Sequence, residues 1–420
     1  HDDLIRQADG FQFTPEQIRG FMPPQYAYFK YTDTMIPCPD GSPMTASWHT
    51  PGKVSCGLEL YPNETHPDDG RGWTDEKGET HYFIARWNGF VVEQFSRSLM
   101  PLAFAYALSD KETYAEKAAA ILDGLATIYP TTIEGPLDYP GLRPGYEGGR
   151  LERPYYQTAR LLLNYTTAAD LIWDSKIMDE QSPTNPDLTV RENITYNLLL
   201  NGADYCYREA NRSGYINALH NGTADYNKAI LAVGSMFGIE PYVEWALNGP
   251  TSFDKMISNN IDRDGLYYET TTGYTDVVRT LYLQLAEMFY NLRTPKYPEG
   301  INYYDDPRFQ ALYVDSRERL FVAGRLPLYG DSSVDSGGQG KVMSDRALPE
   351  LLQFAVRSSD PQDRLRFWSL INEATNRMPI FAYNNQWGLF NVDEVPDEIP
   401  EVVRERPATD VLGGNGIGLL

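Results

Sequence analysis

The pattern of hydrophobic and polar positions changes near residue 89 of this 420-residue chain. Residues 1–88 contain few periodic segments and many Pro, Gly and Asp residues, a composition typical of turns and loops. From residue 89 onward, apolar side chains recur at steps of three and four residues, as Tyr155, Ala159 and Leu162 do, which indicates amphipathic helices. The predicted helices are 90–109, 112–128, 152–174, 188–210, 217–237, 240–259, 274–293, 307–323 and 347–376.

The order of these elements predicts an all-α fold. Strand signals are sparse between the helices, the loops are rich in Pro and Gly, and no heptad repeat is present. Antiparallel helix pairs without heptads fit an incomplete (α/α) toroid, which is a barrel of helix pairs. We therefore expect a loop-rich N-terminal arm at 1–88 packed on the toroid, the toroid itself at 89–378, and a C-terminal extension at 379–420. The extension ends on an apolar run, 411–420, that indicates the start of a β segment and of a possible β-sandwich domain.

Charge limits the partners that this chain can have. Its 36 Lys and Arg residues against 58 Asp and Glu residues give a formal net charge of −22. Such a chain offers no broad basic surface, so we expect neither nucleic acid nor a membrane as a partner. An anionic ligand would need a locally basic cleft. The arginines that cluster along the chain could line such a cleft or lie on solvated helix faces: Arg143, Arg150, Arg153, Arg160, Arg208, Arg212 and Arg279.

The cysteines and the first residue indicate a secreted or periplasmic protein. Cys38 and Cys56 lie in one loop-rich stretch and could pair in an oxidising compartment. Cys206 lies in an apolar helix, where we expect a buried free thiol. The chain begins with His1 rather than Met, as it would after removal of a signal peptide.

Templates for metal and nucleotide sites are largely missing from the sequence. The five histidines are scattered, and HExxH, paired CxxC, P-loop and GxGxxG motifs do not occur. The segment 260–265 imitates the start of a calcium-binding loop, but the twelfth position is Thr271 rather than Glu. We therefore expect no metal at the functional site and no required cofactor, with a structural calcium ion at 260–265 as the exception considered.

Two polar segments interrupt the helical pattern. In the first, His220 and Asn221 lie at the start of a helix whose later half, 229–237, is fully apolar. Buried polar groups cost free energy unless they are hydrogen-bonded, so polar clusters at helix ends face cavities more often than cores. In the second, a Gly turn at 264–265 leads through a polar loop to Tyr274 at the start of the next helix. In a toroid, both segments would reach one cleft; the alternatives are a helix cap and a packing tyrosine.

These two segments resemble the alginate-lyase-like toroid domain of the heparinase II/III group of polysaccharide lyases. In that family, an Asn/His position on one inner helix is followed by a D-G-x-x-x-E-x-x-x-x-Y loop that carries the catalytic Tyr. The residues of this chain that match the loop are Asp264, Gly265, Glu269 and Tyr274.

The resemblance extends over roughly residues 70–335. It includes 72–82, which contains Trp73 and His81, and 327–332. One departure is that family members with a C-terminal β-sandwich often add a catalytic His from it, whereas no His follows His220 here.

The resemblance implies cleavage of a uronic-acid polysaccharide, such as alginate or glucuronan, by β-elimination to 4,5-unsaturated uronate ends. The reaction needs a donor to the carboxylate, a base for the C5 proton and an acid for the leaving O4. Asn221 with His220 suits the first task, and Tyr274 suits the last and can also act as the base in syn elimination. His220 is the alternative base. The residues expected to bind substrate are Trp73, His81, Arg150, Arg153, Tyr226, Glu269 and Arg279.

Two other functions stay open at this point. An (α/α)-barrel glycoside hydrolase would use a carboxylate pair, for which Glu269 with Asp225 or Asp331 is available. A toroid that binds carbohydrate without catalysis is the third alternative. An unsaturated product would separate the lyase from both. The scarcity of basic residues favours an unsulfated polymer, but the sequence leaves the polymer and the choice of endo or exo action open.

Overall fold

The computed structural model describes residues 2–30, 37–132, 150–151, 156–212, 219–269, 272–314, 348–375, 387, 391–396, 410–412 and 417–419. The chain divides into two compact units. The first comprises His1–Ile216 and Ala232–Phe237, and the second comprises Asn217–Leu231 and Gly238–Leu420. The predicted division into arm, toroid and extension stays a prediction.

The N-terminal part of the first unit contains helices and strands as well as loops. Its elements are α1 (Asp2–Asp9), α2 (Pro15–Phe21), β1 (Thr45–Ala46), β2 (Val54–Cys56), β3 (Glu59–Tyr61), β4 (Trp73–Thr74) and β5 (Thr80–His81). Helix α2 begins with a capping box, in which the Thr14 and Gln17 side chains each accept the other's backbone N–H. The strands form an antiparallel sheet in the order β1-β2-β3 and a separate β4-β5 hairpin.

The predicted pairing of Cys38 with Cys56 is confirmed, since the two form a disulfide. The bridge belongs to a hydrophobic cluster that also contains Met44, Val54 and Phe83. Cys206 is a buried free thiol, as expected. Burial raises the pKa of this thiol, so the side chain behaves as a small apolar residue.

The main helices of the first unit pack beside their neighbours in sequence. They are α3 (Phe83–Ser109), α4 (Glu112–Ile128), α5 (Tyr156–Leu171), α6 (Val190–Asn193) and α7 (Asn201–Ala210), and a π-helical segment, Ile194–Leu200, joins the last two. Helix α3 packs against α1, α4 and α5. Its Gly89 allows close approach to the preceding segment, because a Cβ there would lie closer than 3.0 Å to the Lys30 carbonyl oxygen.

A buried carboxylate connects α4 to the loop that precedes α6. Asp123 is only 1% exposed. Its side chain accepts hydrogen bonds from Ser182 Oγ at 2.7 Å, Thr184 Oγ1 at 2.6 Å and Asn193 Nδ2 at 2.8 Å. These donors replace the water that the carboxylate loses on folding, so the loop is fixed by this one side chain.

The second unit contains the helices that begin beside the predicted catalytic residues. Its elements are α8 (Asn221–Phe237, whose last residues 232–237 belong to the first unit), α9 (Glu240–Asn248), α10 (Phe253–Asn260), α11 (Thr272–Tyr290), α12 (Pro307–Tyr313), α13 (Leu348–Arg357), α14 (Pro361–Thr375), β6 (Asp410–Leu412) and β7 (Ile417–Leu419). Aromatic rings fill its core. Phe253 stacks on Phe289 with ring centroids 5.8 Å apart, and Tyr303 meets Phe253 edge-on at 4.7 Å.

The predicted fold class is confirmed, because the described chain is mainly helical and its few strands are short. Neighbours such as α3 with α4, and α13 with α14, pack together across connections of two or three residues, as α/α pairs do. The predicted helix 240–259 is two helices, separated at Gly249 and Pro250. The helix predicted at 347–376 is also two, since Pro361 starts a new one. The strand signal near the C-terminus corresponds to the β6-β7 pair.

No helix in the described part of the chain combines the length and the hydrophobicity of a membrane span.

Candidate functional site

His220 and Asn221 form a hydrogen-bonded pair at the start of α8. The backbone N–H of Gly222 donates both to His220 Nδ1, at 3.0 Å, and to Asn221 Oδ1, at 2.8 Å. Because Nδ1 accepts this bond, the proton of the neutral imidazole resides on Nε2. Burial lowers the pKa of His220, while its hydrogen bond with Asn221 and the charge of Asp225 act in the opposite direction. The structure therefore favours a neutral imidazole whose Nε2–H is a donor.

Asn260 anchors the backbone just before this pair. The Asn260 amide is 4% exposed, and it donates to the Leu219 carbonyl oxygen at 2.5 Å and to the Tyr282 hydroxyl at 3.0 Å. Leu219 directly precedes His220, and Tyr282 belongs to α11. A second link comes from Lys228 on α8, whose Nζ lies 2.8 Å from Gln284 Oε1 on α11. Two contacts thus connect the α8 segment to α11, one through Asn260 and one between Lys228 and Gln284.

The loop that leads to Tyr274 is closed by its own backbone. Residues 261 and 267 form an antiparallel bridge, and Asp262 Oδ1 accepts from the N–H groups of Asp264 and Leu266, both at 2.9 Å. Gly265 has φ +74°, and a Cβ there would lie closer than 3.0 Å to the Ala311 carbonyl oxygen. The Asp262 carboxylate thus stabilises the turn. The calcium ion that was considered at 260–265 as an exception stays untested.

Tyr274 lies in the first turn of α11 and is half-buried. Glu269, which precedes that helix, is also half-buried, while 270–271 lie outside the described residues. Tyr274, His220 and Asn221 therefore all lie near the N-terminal ends of helices that are linked to each other. The partial positive charge of a helix N-terminus favours an anion.

Two predicted residues on α8 are deeply buried. Tyr226 is 1% exposed and has almost no surface to offer a substrate. Asp225 is 1% exposed, and its Oδ1 lies 3.2 Å from Lys228 Nζ. An ion pair of this kind stays intact only because each charge compensates the desolvation of the other. Asp225 is therefore placed as one half of a structural ion pair.

Arg279 is 3% exposed and connects α11 to α12. Its Nε donates to the Leu312 carbonyl oxygen at 2.8 Å, and its Nη1 lies 2.7 Å from Asp276 Oδ1. The Tyr313 hydroxyl donates to the Arg279 carbonyl oxygen at 2.6 Å. The guanidinium is thus engaged inside the second unit. Contact with a substrate carboxylate stays a prediction that this geometry does not favour.

The other predicted substrate-binding residues belong to the first unit. Trp73 is half-buried in β4, edge-on to His66 with ring centroids 4.4 Å apart. His81 is 2% exposed in β5. The Arg150 guanidinium donates to Asn201 Oδ1 and lies over the rings of Tyr129 and Tyr205, at 5.5 Å and 5.1 Å. Arg153 and Asp331 lie outside the described residues.

Asn260 and Lys228 were missed by the reasoning from sequence. Asn260 was considered only as a calcium ligand, although it positions the residue before His220. The available signal was its place at the end of an amphipathic helix, directly before the loop that leads to Tyr274. Lys228 could have been found because Asp225 lies three residues before it, which puts opposite charges on one helix face.

No protein-family model matches the chain, and no curated protein sequence matches it. Among the solved structures that are similar to it are two alginate lyases. An alginate lyase from Bacteroides ovatus has a TM-score of 0.47 and 15% identity, covering 92% of this chain and 91% of the lyase. Alginate lyase A1-III from Sphingomonas species A1 has a TM-score of 0.34 and 15% identity, covering 69% of this chain and 72% of the lyase. At this identity, the likeness concerns the fold alone.

Proposed function

We propose that the chain is a polysaccharide lyase that cleaves a uronic-acid polymer, such as alginate or glucuronan, by β-elimination. The observation that carries the proposal is the placement of His220–Asn221 and Tyr274 near the N-terminal ends of α8 and α11, two helices joined by hydrogen bonds through Asn260 and Lys228. Uncharged donors and a phenol at helix N-termini suit a reaction in which negative charge develops on a carboxylate.

The carboxylate of the uronate is assigned to Asn221 and His220. Its negative charge grows as the C5 proton leaves, so donors that are already in place stabilise the transition state. The Asn221 amide N–H₂ and the Nε2–H of neutral His220 are such donors. The acceptor atoms of the two side chains, Asn221 Oδ1 and His220 Nδ1, already accept from Gly222 N–H. This arrangement favours His220 as a donor over His220 as the base.

Tyr274 is assigned to the proton transfers. Its phenolate takes the C5 proton, the electron pair forms the C4–C5 double bond, and the bond from C4 to O4 breaks. The same hydroxyl then protonates O4, which leaves with the departing sugar, and the phenolate is regenerated. One tyrosine can perform both steps when the C5 proton and O4 lie on the same face of the ring.

The hydrolase alternative is less well supported. Two carboxylates would have to flank a glycosidic bond. Asp225 is 1% exposed and is paired with Lys228. It is therefore poorly placed to act on a sugar as the second carboxylate beside Glu269. The proposal includes a secreted or periplasmic location and an anionic polysaccharide as the substrate. The Cys38–Cys56 disulfide supports an oxidising compartment.

The test compares Tyr274→Phe and Asn221→Ala with wild type on alginate, glucuronan and a sulfated glycosaminoglycan. Turnover is followed by the ultraviolet absorption of the unsaturated uronate. Removing the Tyr274 hydroxyl should lower turnover by about 10²–10⁴-fold, because the proton transfers lose their carrier. Tyr196→Phe is the matched control, since Tyr196 is 56% exposed on the first unit.

Equal thermal stability of the variants must be confirmed first. A Tyr274→Phe enzyme within a few-fold of wild type would contradict the lyase mechanism. New reducing ends without unsaturated product, abolished by Glu269→Gln, would instead support the hydrolase. No product from any of these polymers would favour a binding protein.

A further inference from the structure

Strand β5 of the β4-β5 hairpin contains a buried histidine. His81 is 2% exposed. Its Nδ1 lies 2.6 Å from the Pro37 carbonyl oxygen, which accepts only, so Nδ1 carries the proton. Nε2 then presents a lone pair, and it makes no hydrogen bond to any residue that the structure describes. A buried acceptor of this kind costs free energy unless something binds it.

Nε2 faces a carboxylate rather than a donor. Asp75 Oδ2 lies 3.6 Å from His81 Nε2, beyond hydrogen-bond distance. The other oxygen, Oδ1, accepts from the N–H groups of Lys77 at 2.9 Å and Glu79 at 2.8 Å, which fixes the orientation of the carboxylate. Two acceptors therefore face each other across a short gap that a metal ion would fill.

A third ligand is available in the same turn. Glu79 lies two residues before His81, just before β5 begins. Its carboxylate comes close to the Asp75 carboxylate and the His81 ring. One ligand atom each from Asp75, Glu79 and His81 can be chosen so that all lie within 4.8 Å of one another. All three are contributed by a seven-residue segment, whose backbone is closed by strand pairing of Trp73 with His81.

The spacing suits a transition metal. Zinc binds imidazole nitrogen at about 2.0–2.1 Å and carboxylate oxygen at about 2.0–2.2 Å, which at a tetrahedral angle separates the two ligand atoms by about 3.4 Å. The 3.6 Å between Nε2 and Oδ2 is close to this value. The Nδ1 bond to a backbone carbonyl is also the usual outer contact of a metal-bound histidine.

We propose that Asp75, Glu79 and His81 bind one divalent transition-metal ion, Zn²⁺ in the first instance, which locks the β4-β5 hairpin. Water completes the coordination. Ca²⁺ and Mg²⁺ are not expected to bind, because they prefer oxygen-only ligand sets. The proposal concerns the first unit alone and does not depend on the lyase mechanism.

The experiment titrates Zn²⁺ into the full chain after treatment with a chelator and its removal. Isothermal titration calorimetry measures stoichiometry and affinity, and thermal unfolding measures stabilisation. About one Zn²⁺ per chain should bind and raise the unfolding temperature, whereas Ca²⁺ should do neither. Co²⁺ in place of Zn²⁺ should give visible absorption bands of a site with nitrogen and oxygen ligands.

Variants locate the site. Glu79→Gln changes an exposed side chain, so folding should survive, and Zn²⁺ affinity should fall at least tenfold. Asp75→Asn should have a similar effect. His66→Gln is the matched control, because His66 also lies against Trp73 but does not belong to the three ligands, and its affinity should equal that of wild type.

Two results would overturn the proposal. One is the absence of a stoichiometric Zn²⁺ site in wild type. The other is a Zn²⁺ site that survives in both Glu79→Gln and Asp75→Asn, which would place the ion elsewhere on the chain.

Discussion

Replacing Gly265 with Ala tests how the loop before Tyr274 is held. Gly265 combines two constraints. Its φ of +74° lies in the left-handed region, and an added Cβ would lie closer than 3.0 Å to the carbonyl oxygen of Ala311 in α12. Since that oxygen is backbone, it cannot move aside as the end of a flexible side chain could. We expect the variant to displace 262–269 from α12.

The structure supplies controls that separate the two constraints. Gly238 has φ +65°, and within the described residues a Cβ there would meet nothing within 4 Å, so Gly238→Ala should cost only the left-handed strain of about 1–2 kcal/mol. Gly265→Ala adds overpacking, typically about 1–3 kcal/mol, for a total of about 2–5 kcal/mol. Gly300→Ala has the same combination of φ and backbone clash, but beside Tyr290 at the other end of α11.

Denaturant unfolding of the three variants and of wild type measures how much each substitution lowers the free energy of unfolding. Gly265→Ala and Gly300→Ala should be destabilised to a similar degree, and both more than Gly238→Ala. Turnover on the best polymer should fall in Gly265→Ala alone, because only this change displaces the loop that leads to Tyr274. If Gly265→Ala were no less stable than Gly238→Ala, the close approach of the loop to α12 would be wrong.

Three further predictions follow from buried polar groups. Lys228→Met should lower the free energy of unfolding by about 3–5 kcal/mol, because Asp225 loses its ammonium partner in a buried site. In a double-mutant cycle, combining Lys228→Met with Asp225→Asn should recover part of this loss. Asp123→Asn should lower the free energy of unfolding by about 3 kcal/mol, since the new amide N–H₂ would face the donors Ser182 and Asn193. Glu116→Gln, on the exposed face of α4, should leave the free energy of unfolding unchanged in the same experiment. Burial lowers the pKa of His220 below its ordinary value of about 6.5, so the unfolded chain takes up this proton first as pH falls. Stability should therefore be full above about pH 6.5 and decrease as pH drops through the lowered pKa, less so in His220→Gln, as measured by unfolding across this range.

The helical part of the fold was predictable because its signal is local. A helix such as α4 buries one stripe, and the stripe appears in the sequence as apolar residues three and four apart. The break at Gly249 and Pro250 was missed in the predicted helix 240–259, although Gly and Pro are the local sequence signal for such a break. The short strands β1 to β5 were not, because elements of two or three residues have no periodicity, and their pairing depends on contacts with the disulfide and the ring of Phe83.

Side-chain direction was the part of the site that the sequence could not give. Arg279 was expected to face a substrate, yet its guanidinium is directed to the Leu312 carbonyl oxygen on another helix. His81 was expected at the same cleft, and its buried ring is hydrogen-bonded through Nδ1 to the Pro37 carbonyl oxygen. In both cases, a residue of the right type lies at the right place along the chain, but the neighbour that it contacts is distant in sequence and unknown until the chain is folded.

The charged candidate site residues are held by structural partners, and the cost of burying a charge explains why. Inside a helical unit, Asp225 and Arg279 must be compensated by nearby groups, and the structure supplies Lys228 for one and Asp276 for the other. Neutral residues such as Asn221 carry no comparable penalty and can stay half-buried at a helix start. In an acidic chain of this kind, uncharged polar residues beside helix N-termini are therefore better guides to a site for an anion than arginines are, because the helix ends supply positive potential without a buried charge.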